Sequence, residues 1–233
     1  MLSVQKNSWR LLPLIAISTI TLLVAAHPAL QQTTIEGLTA KLQKQYAAIY
    51  YLFANGPGKQ VYPADFRERL RRWQADLAQS FTDAQATIDE IIRLHPPDEE
   101  MWRERSDTMH LYAQPPSPPQ TRTVFGVTEV DKRARLIEAP AAVFPANATG
   151  IANARGEVRL RLVLAADGTV KYIFPMKPLD FGLTEAAIEA AHHIKFVPAV
   201  RDGKPASQFL TLSYEFRNRR GLAPYVPEHE FYF

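Results

Sequence analysis

The residues best suited to chemistry stand together in "AHHIKFVPAVRDGKP", residues 191–205, where His192 and His193 are adjacent. On a helix, neighbouring side chains point about 100° apart, so this pair cannot close on one metal ion from a regular helix. At a helix C-terminus, imidazoles instead complement the dipole. His95, His110 and His229 have no partner at ligand spacing. The chain has no cysteine, which removes thiolate chemistry, disulfides and cysteine zinc sites. It also lacks a G-x-S-x-G elbow, a phosphate-binding loop and a dinucleotide fingerprint. No constellation for an enzyme is present, and neither a metal nor a cofactor is expected. A formal charge of +3, without a basic stripe interleaved with aromatics, gives no reason to expect nucleic acid. The remaining class is a protein that grips another protein.

The elements that position these residues fall into two regimes. From Thr33 to about Ala113 the apolar period is helical. Ile35, Leu38, Leu42, Tyr46, Ile49 and Phe53 share one face, opened by Thr33 and Glu36 at capping-box spacing and stopped by "NGPG" at 55–58. A second helix starts at Pro63, with Phe66, Leu70, Trp73, Leu77 and Phe81 as its stripe. Arg67, Arg69, Arg71 and Arg72 read as its solvated face. A third is expected from Thr82 to the Pro96-Pro97 stop. A fourth follows Asp98, with Met101, Trp102, Met109 and Tyr112 inward. "AQPPSPPQTRT", 113–123, cannot build a core and reads as a linker.

From about residue 124 the period changes to two. "EVRLRLVL" sets Val158, Leu160, Leu162 and Leu164 against Glu157, Arg159 and Arg161. "ADG" is a hairpin turn and "TVKYIF" the return strand. A helix follows with Thr184 as its N-cap, a staple of Leu183 and Ile188, and a buried face of Ile188, Ala191 and Ile194. Asp202-Gly203 turns the chain into a last strand, "QFLTLSYEF".

This order of signals resembles the C-terminal domain of TonB-type energy transducers. Pro140, Phe144 and Pro145 match the opening segment. Gly156 and Asp167-Gly168 match the first hairpin. Gly182, Leu183, Ala187, Ile188, Ala190, Phe196, Pro198, Ala199, Asp202, Gly203, Lys204 and Pro205 match the helix, its break and the following turn. The resemblance covers about ninety of the 233 residues. It does not extend to the helices, which stand where the family's long proline-rich spacer would be.

The expected fold class is α+β. Residues 1–28 are a signal peptide or membrane anchor, 33–113 a small all-α region, and 114–123 the proline-rich linker. Residues 124–218 are a β-β-α-β domain, a three-stranded antiparallel sheet packed on one helix, and 219–233 a tail. The leader carries Lys6 and Arg10 before an apolar run, Leu11–Ala26, somewhat shorter than the ~20 residues that span a bilayer. Either reading of it puts the remainder in the periplasm.

A small sheet leaves a border of unpaired main-chain groups. The expected border is the last strand, comprising Gln208, Phe209, Leu210, Thr211, Leu212, Ser213, Tyr214, Glu215 and Phe216. The resemblance implies that an extended peptide of an outer-membrane receptor adds to it by β-augmentation. Two other occupants are a second copy of the chain and the tail "RNRRGLAPYVPEHEFYF". An anchored form would engage an ExbB/ExbD-type proton motor. A cleaved form would act as a periplasmic binding or scaffold module.

Overall fold

A computed structural model describes residues 14–57, 63–114, 122–151, 154–217 and 220–226 of the chain. Three helices come first: α1 (Leu14–Ala54), α2 (Pro63–Arg93) and α3 (Glu99–Ala113). The sequence predicts a helix start at Thr33, but α1 runs through Thr33 and Glu36 without a break, so neither acts as a cap. The expected third helix at Thr82 is likewise part of α2. Trp73, Leu77, Phe81, Ala84, Ile88 and Ile91 repeat at spacings of three and four straight through that point, and all are buried. The Thr82 hydroxyl donates to the Ala78 carbonyl one turn back, at 2.9 Å, and so needs no break in the helix. Of the inward set expected on α3, Trp102 and Met109 are buried, whereas Met101 is exposed.

The side chains of α1 are described only from Thr34 onward. The side chains of the apolar leader, and with them the choice between cleaved signal and anchor, lie outside what is described. Among the described residues no helix is long and apolar enough to cross a membrane. The proline run of the linker, from residue 115, also lies outside them.

The second half holds β1 (Val124–Phe125), β2 (Arg135–Glu138), β3 (Gly156–Leu164), β4 (Val170–Lys177), α4 (Leu183–His192), β5 (Lys195–Val197), β6 (Ala199–Arg201), β7 (Lys204–Arg217) and β8 (Arg220–Gly221). The expected β-β-α-β unit is β3, β4, α4 and β7. The sheet is larger than three strands. Its path is β1-β7-β3-β4, with β6 and β8 also pairing to β7, and β2 and β5 form a separate two-stranded ribbon. Asp202 and Gly203 both have positive φ, 52° and 72°, as the two-residue turn joining β6 to β7 requires.

Alternation along β3 and β7 divides the core into two layers. Leu160, Leu162, Leu210, Leu212, Tyr214 and Phe216 pack with Leu183, Ala187 and Ala191 of α4. Small residues on α4 let it lie close to the sheet. The N-cap is Gly182, in the left-handed region at φ 76°, and not Thr184. The buried Thr184 hydroxyl donates to the Leu179 carbonyl (2.7 Å) and accepts from the Leu179 N–H (2.8 Å). It therefore pins the preceding loop instead of capping.

The opposite face of the sheet is not left to solvent. Phe174 and Met176 of β4 belong to the same buried cluster as Ile49, Phe53, Phe81 and Met109 of the helices. The described domain thus has three layers: α4, the sheet, and α1–α3.

Candidate partner-binding edge

β7 owes its length to its pattern. Alternate residues are apolar and face α4, and the β-hairpin turn at Asp202-Gly203 sets its register. All nine residues from Gln208 to Phe216 pair antiparallel with β3, in continuous register from Leu164↔Gln208 to Gly156↔Phe216. That settles one side of the strand.

The other side is the border that the sequence assigned to a partner, and this chain already fills much of it. β1 runs parallel against Ser207 and Gln208. At the far end Arg220 and Gly221 pair with Arg217 and Phe216. The Leu222 N–H donates to the Glu215 carbonyl at 2.9 Å. Ser213 and Tyr225 exchange both main-chain bonds: Ser213 N–H to Tyr225 C=O at 2.9 Å, and Tyr225 N–H to Ser213 C=O at 3.0 Å. Between these clamps, Leu210–Leu212 has no main-chain partner on that side among the described residues, and alternation turns the N–H and C=O of Thr211 towards it. The border expected to be open over Gln208–Phe216 is therefore open only in its middle. The tail, one of the two rival occupants, lies across its C-terminal part.

Side chains of β7 have little to offer a visitor. Leu210, Thr211, Leu212, Ser213, Tyr214 and Phe216 are all buried. Only Phe209 and Glu215 among Phe209–Phe216 are half-exposed. A guest would meet main chain here, and its own side chains would be read by neighbouring segments.

The far border of the sheet, β4, is built differently. Pro175 has no N–H to donate along that strand. Tyr172 sits in a bulge with φ 53°, and its carbonyl accepts from the Tyr112 hydroxyl at 3.0 Å. Helices α1, α3 and α4 pack along β4. Of the two borders, β7 is the one with donors and acceptors in reach of a strand.

One cluster beside the β7 border was not anticipated. Glu157, on β3, accepts through Oε1 from the Ser213 hydroxyl (2.6 Å), Arg159 (2.9 Å) and the Tyr225 hydroxyl (3.0 Å). Its Oε2 accepts from Lys177 Nζ at 3.0 Å. Partial burial pushes this carboxyl upward, but the hydrogen bonds from Ser213, Lys177 and Arg159 outweigh it and hold the group at about 2. In the sequence Glu157 was only the polar half of an alternating strand, and nothing local linked it to Tyr225, 68 residues away.

The histidines are unremarkable by comparison. His193 is the C-cap of α4, and its ring lies 3.1 Å from Glu189 on an exposed face. Among the described residues no group of three or more potential metal ligands exists.

No curated protein matches the chain. Residues 140–217 match the family described as Gram-negative bacterial TonB protein C-terminal. The match starts at Pro140 and ends at the last residue of β7, so it takes in β3, β4, α4 and β7 and leaves out both the helices α1–α3 and the tail. TonB-family proteins are periplasmic and envelope-associated, interact with outer-membrane receptors and are involved in energy transduction. The residues read as a resemblance in the sequence thus lie within the matched span, and residues 140–217 of this chain are similar to a TonB C-terminal domain.

Proposed function

We propose that this protein is a periplasmic TonB-like energy transducer whose β7 border receives an extended peptide from an outer-membrane receptor. The observation that carries this reading is the unpaired interval Leu210–Leu212, in the middle of the longest strand of the matched region. An extended guest would gain main-chain hydrogen bonds there. No catalytic group enters this role, and we assign the protein no enzymatic activity.

Alternation supports a specific test. Ser213 directs its N–H and C=O away from β3, so Thr211, two residues earlier, directs its own the same way. Replacing Thr211 with proline removes an outward donor and leaves the β3 ladder intact. Synthetic peptides copied from the extended N-terminal segments of outer-membrane receptors should bind the Thr211→Pro chain about tenfold more weakly, the loss of one to two main-chain bonds. Equal affinity, measured by fluorescence anisotropy on chains of matched thermal stability, would contradict the reading.

Coupling to an ExbB/ExbD-type motor requires that Leu11–Ala26 stay in the inner membrane. Full-length protein in the membrane fraction supports that coupling. Soluble periplasmic protein starting near His27 supports the non-motor scaffold. One structural feature favours the scaffold: helices docked on the sheet through Phe174 occupy the place of a long extended spacer.

A further inference from the structure

The tail segment Arg220–Val226 occupies the same border of β7 that the peptide reading requires, and it lies just outside the family match. We propose that this segment is an internal strap, a built-in competitor that must peel from β7 before an extended peptide can pair along its full length. This inference rests on the peptide reading given above.

Three features define the strap. Its main chain makes the bonds of an added strand, through Arg220 and Gly221 on Arg217 and Phe216, Leu222 on Glu215, and Tyr225 on Ser213. Its side chains add the Tyr225 phenol, which donates to Glu157 at 3.0 Å. Its path is held against the opening segment of the domain. A Cβ built on Gly221 would lie 1.9 Å from the Ala142 carbonyl oxygen and 2.8 Å from its carbon. No residue but glycine fits that position while the strap is seated.

The hold is loose by design of the same residues. Leu222, Tyr225 and Val226 remain 42%, 49% and 45% exposed, so seating the strap buries little apolar surface. Pairing is also interrupted. Phe216 to Ser213 spans three steps on β7, whereas Gly221 to Tyr225 spans four on the strap, with Pro224 inside the bulge. An uninterrupted guest, continuing from the open interval Leu210–Leu212 to Arg217, would make the missing bonds as well as the strap's own. The site also specifies something of the guest. A hydroxyl or other donor opposite Ser213 satisfies Glu157, and a glycine is needed where the guest passes Ala142.

The absence of native cysteine makes a reversible lock possible. The register Phe216↔Gly221 puts Glu215 across from Leu222. A full-length Glu215→Cys, Leu222→Cys chain can be oxidised to fasten the strap and reduced to free it. A second full-length variant, Gly221→Val, unseats the strap through the Ala142 clash. The probes are the receptor N-terminal peptides, read by fluorescence anisotropy. Amide hydrogen exchange at Ser213 reports whether the strap is seated, and thermal melting reports folding.

The expected result is that oxidation abolishes peptide binding and reductant restores it. Gly221→Val should bind about tenfold more tightly than wild type, as expected if the strap leaves the border free about one tenth of the time. Its Ser213 amide should exchange faster. Equal binding by oxidised, reduced and Gly221→Val chains overturns the strap while the peptide reading stands. Binding by no form, even with Ser213 exposed in Gly221→Val, overturns both together. If Gly221→Val does not fold, the oxidised and reduced states of the double-cysteine chain decide alone.

Discussion

The two faces of the central sheet are covered by opposite means. Towards α4 the contacts are aliphatic and regular: Leu160, Leu162, Leu210 and Leu212 lie against Leu183, Ala187 and Ala191. Towards α1–α3 the strands present polar residues, Arg161, Thr211 and Ser213 among them, and the apolar contact is concentrated on β4. Phe174 is its centre. Its ring centroid lies 5.0 Å from Phe81, 6.0 Å from Tyr50 and Tyr112, and 6.1 Å from Tyr46 and Phe53. The first face is distributed packing within the family domain; the second is a plug-in joint to helices outside the family match. A distributed face degrades gradually, whereas a joint centred on one ring loses most of its contact when that ring is removed.

The largest expected effect breaks that contrast. Phe174→Ala should cost about 3–5 kcal/mol, as a buried phenylalanine does, and should expose α1–α3 to limited proteolysis before residues 140–217. A melt in which both halves lose stability equally would deny that Phe174 is the joint. On the α4 face, Ala187→Leu overpacks a fully buried position and should cost about 1–3 kcal/mol. That loss should leave the helices protected.

Smaller effects sharpen the comparison. Tyr112→Phe removes the hydroxyl that donates to the Tyr172 carbonyl, a link between α3 and the β4 bulge, and should cost about 1 kcal/mol by chemical denaturation. Acid should loosen the β7 border through Glu157. Its folded-state value of about 2 lies below the ordinary carboxyl value of 4.5, so its contribution is complete above pH 4.5 and is lost as pH falls towards 2. Glu157→Gln should flatten that part of the stability–pH curve. At the far end, His193→Ala should change stability by under about 1 kcal/mol, because its pairing with Glu189 is exposed.

What the sequence made legible were features with a local period. The β3–β4 hairpin, α4 and β7 show through alternation, a helical repeat and two Asp-Gly turns, at Asp167-Gly168 and Asp202-Gly203. Helical stripes were legible too, but their boundaries were not. The pattern at Thr82 suits a cap as well as a hydroxyl bonded one turn back, and only the neighbouring helices decide between them. β1, β2, β5, β6 and β8 are two to four residues long, too short for any period. Their pairings depend on chain segments far apart in sequence. The candidate border was legible as β7, because a last amphipathic strand must lie beside β3. Its partial closure was not, because Gly221, Tyr225 and Glu157 look ordinary until the tail folds back. The role of Phe174 was hidden for the same reason: one aromatic in a strand does not say what covers it.

The central claim, that an extended peptide pairs with β7, is tested most directly by disulfide mapping in this cysteine-free chain. Single cysteines at Thr211 and Ser213, on the same face of β7, and at Lys171 on β4 would each be offered receptor peptides carrying one cysteine at successive positions. The account predicts cross-links at 211 and 213 only, with the favoured peptide position shifting by two residues between them. Cross-links concentrated at 171, or a favoured peptide position that does not move, would contradict it.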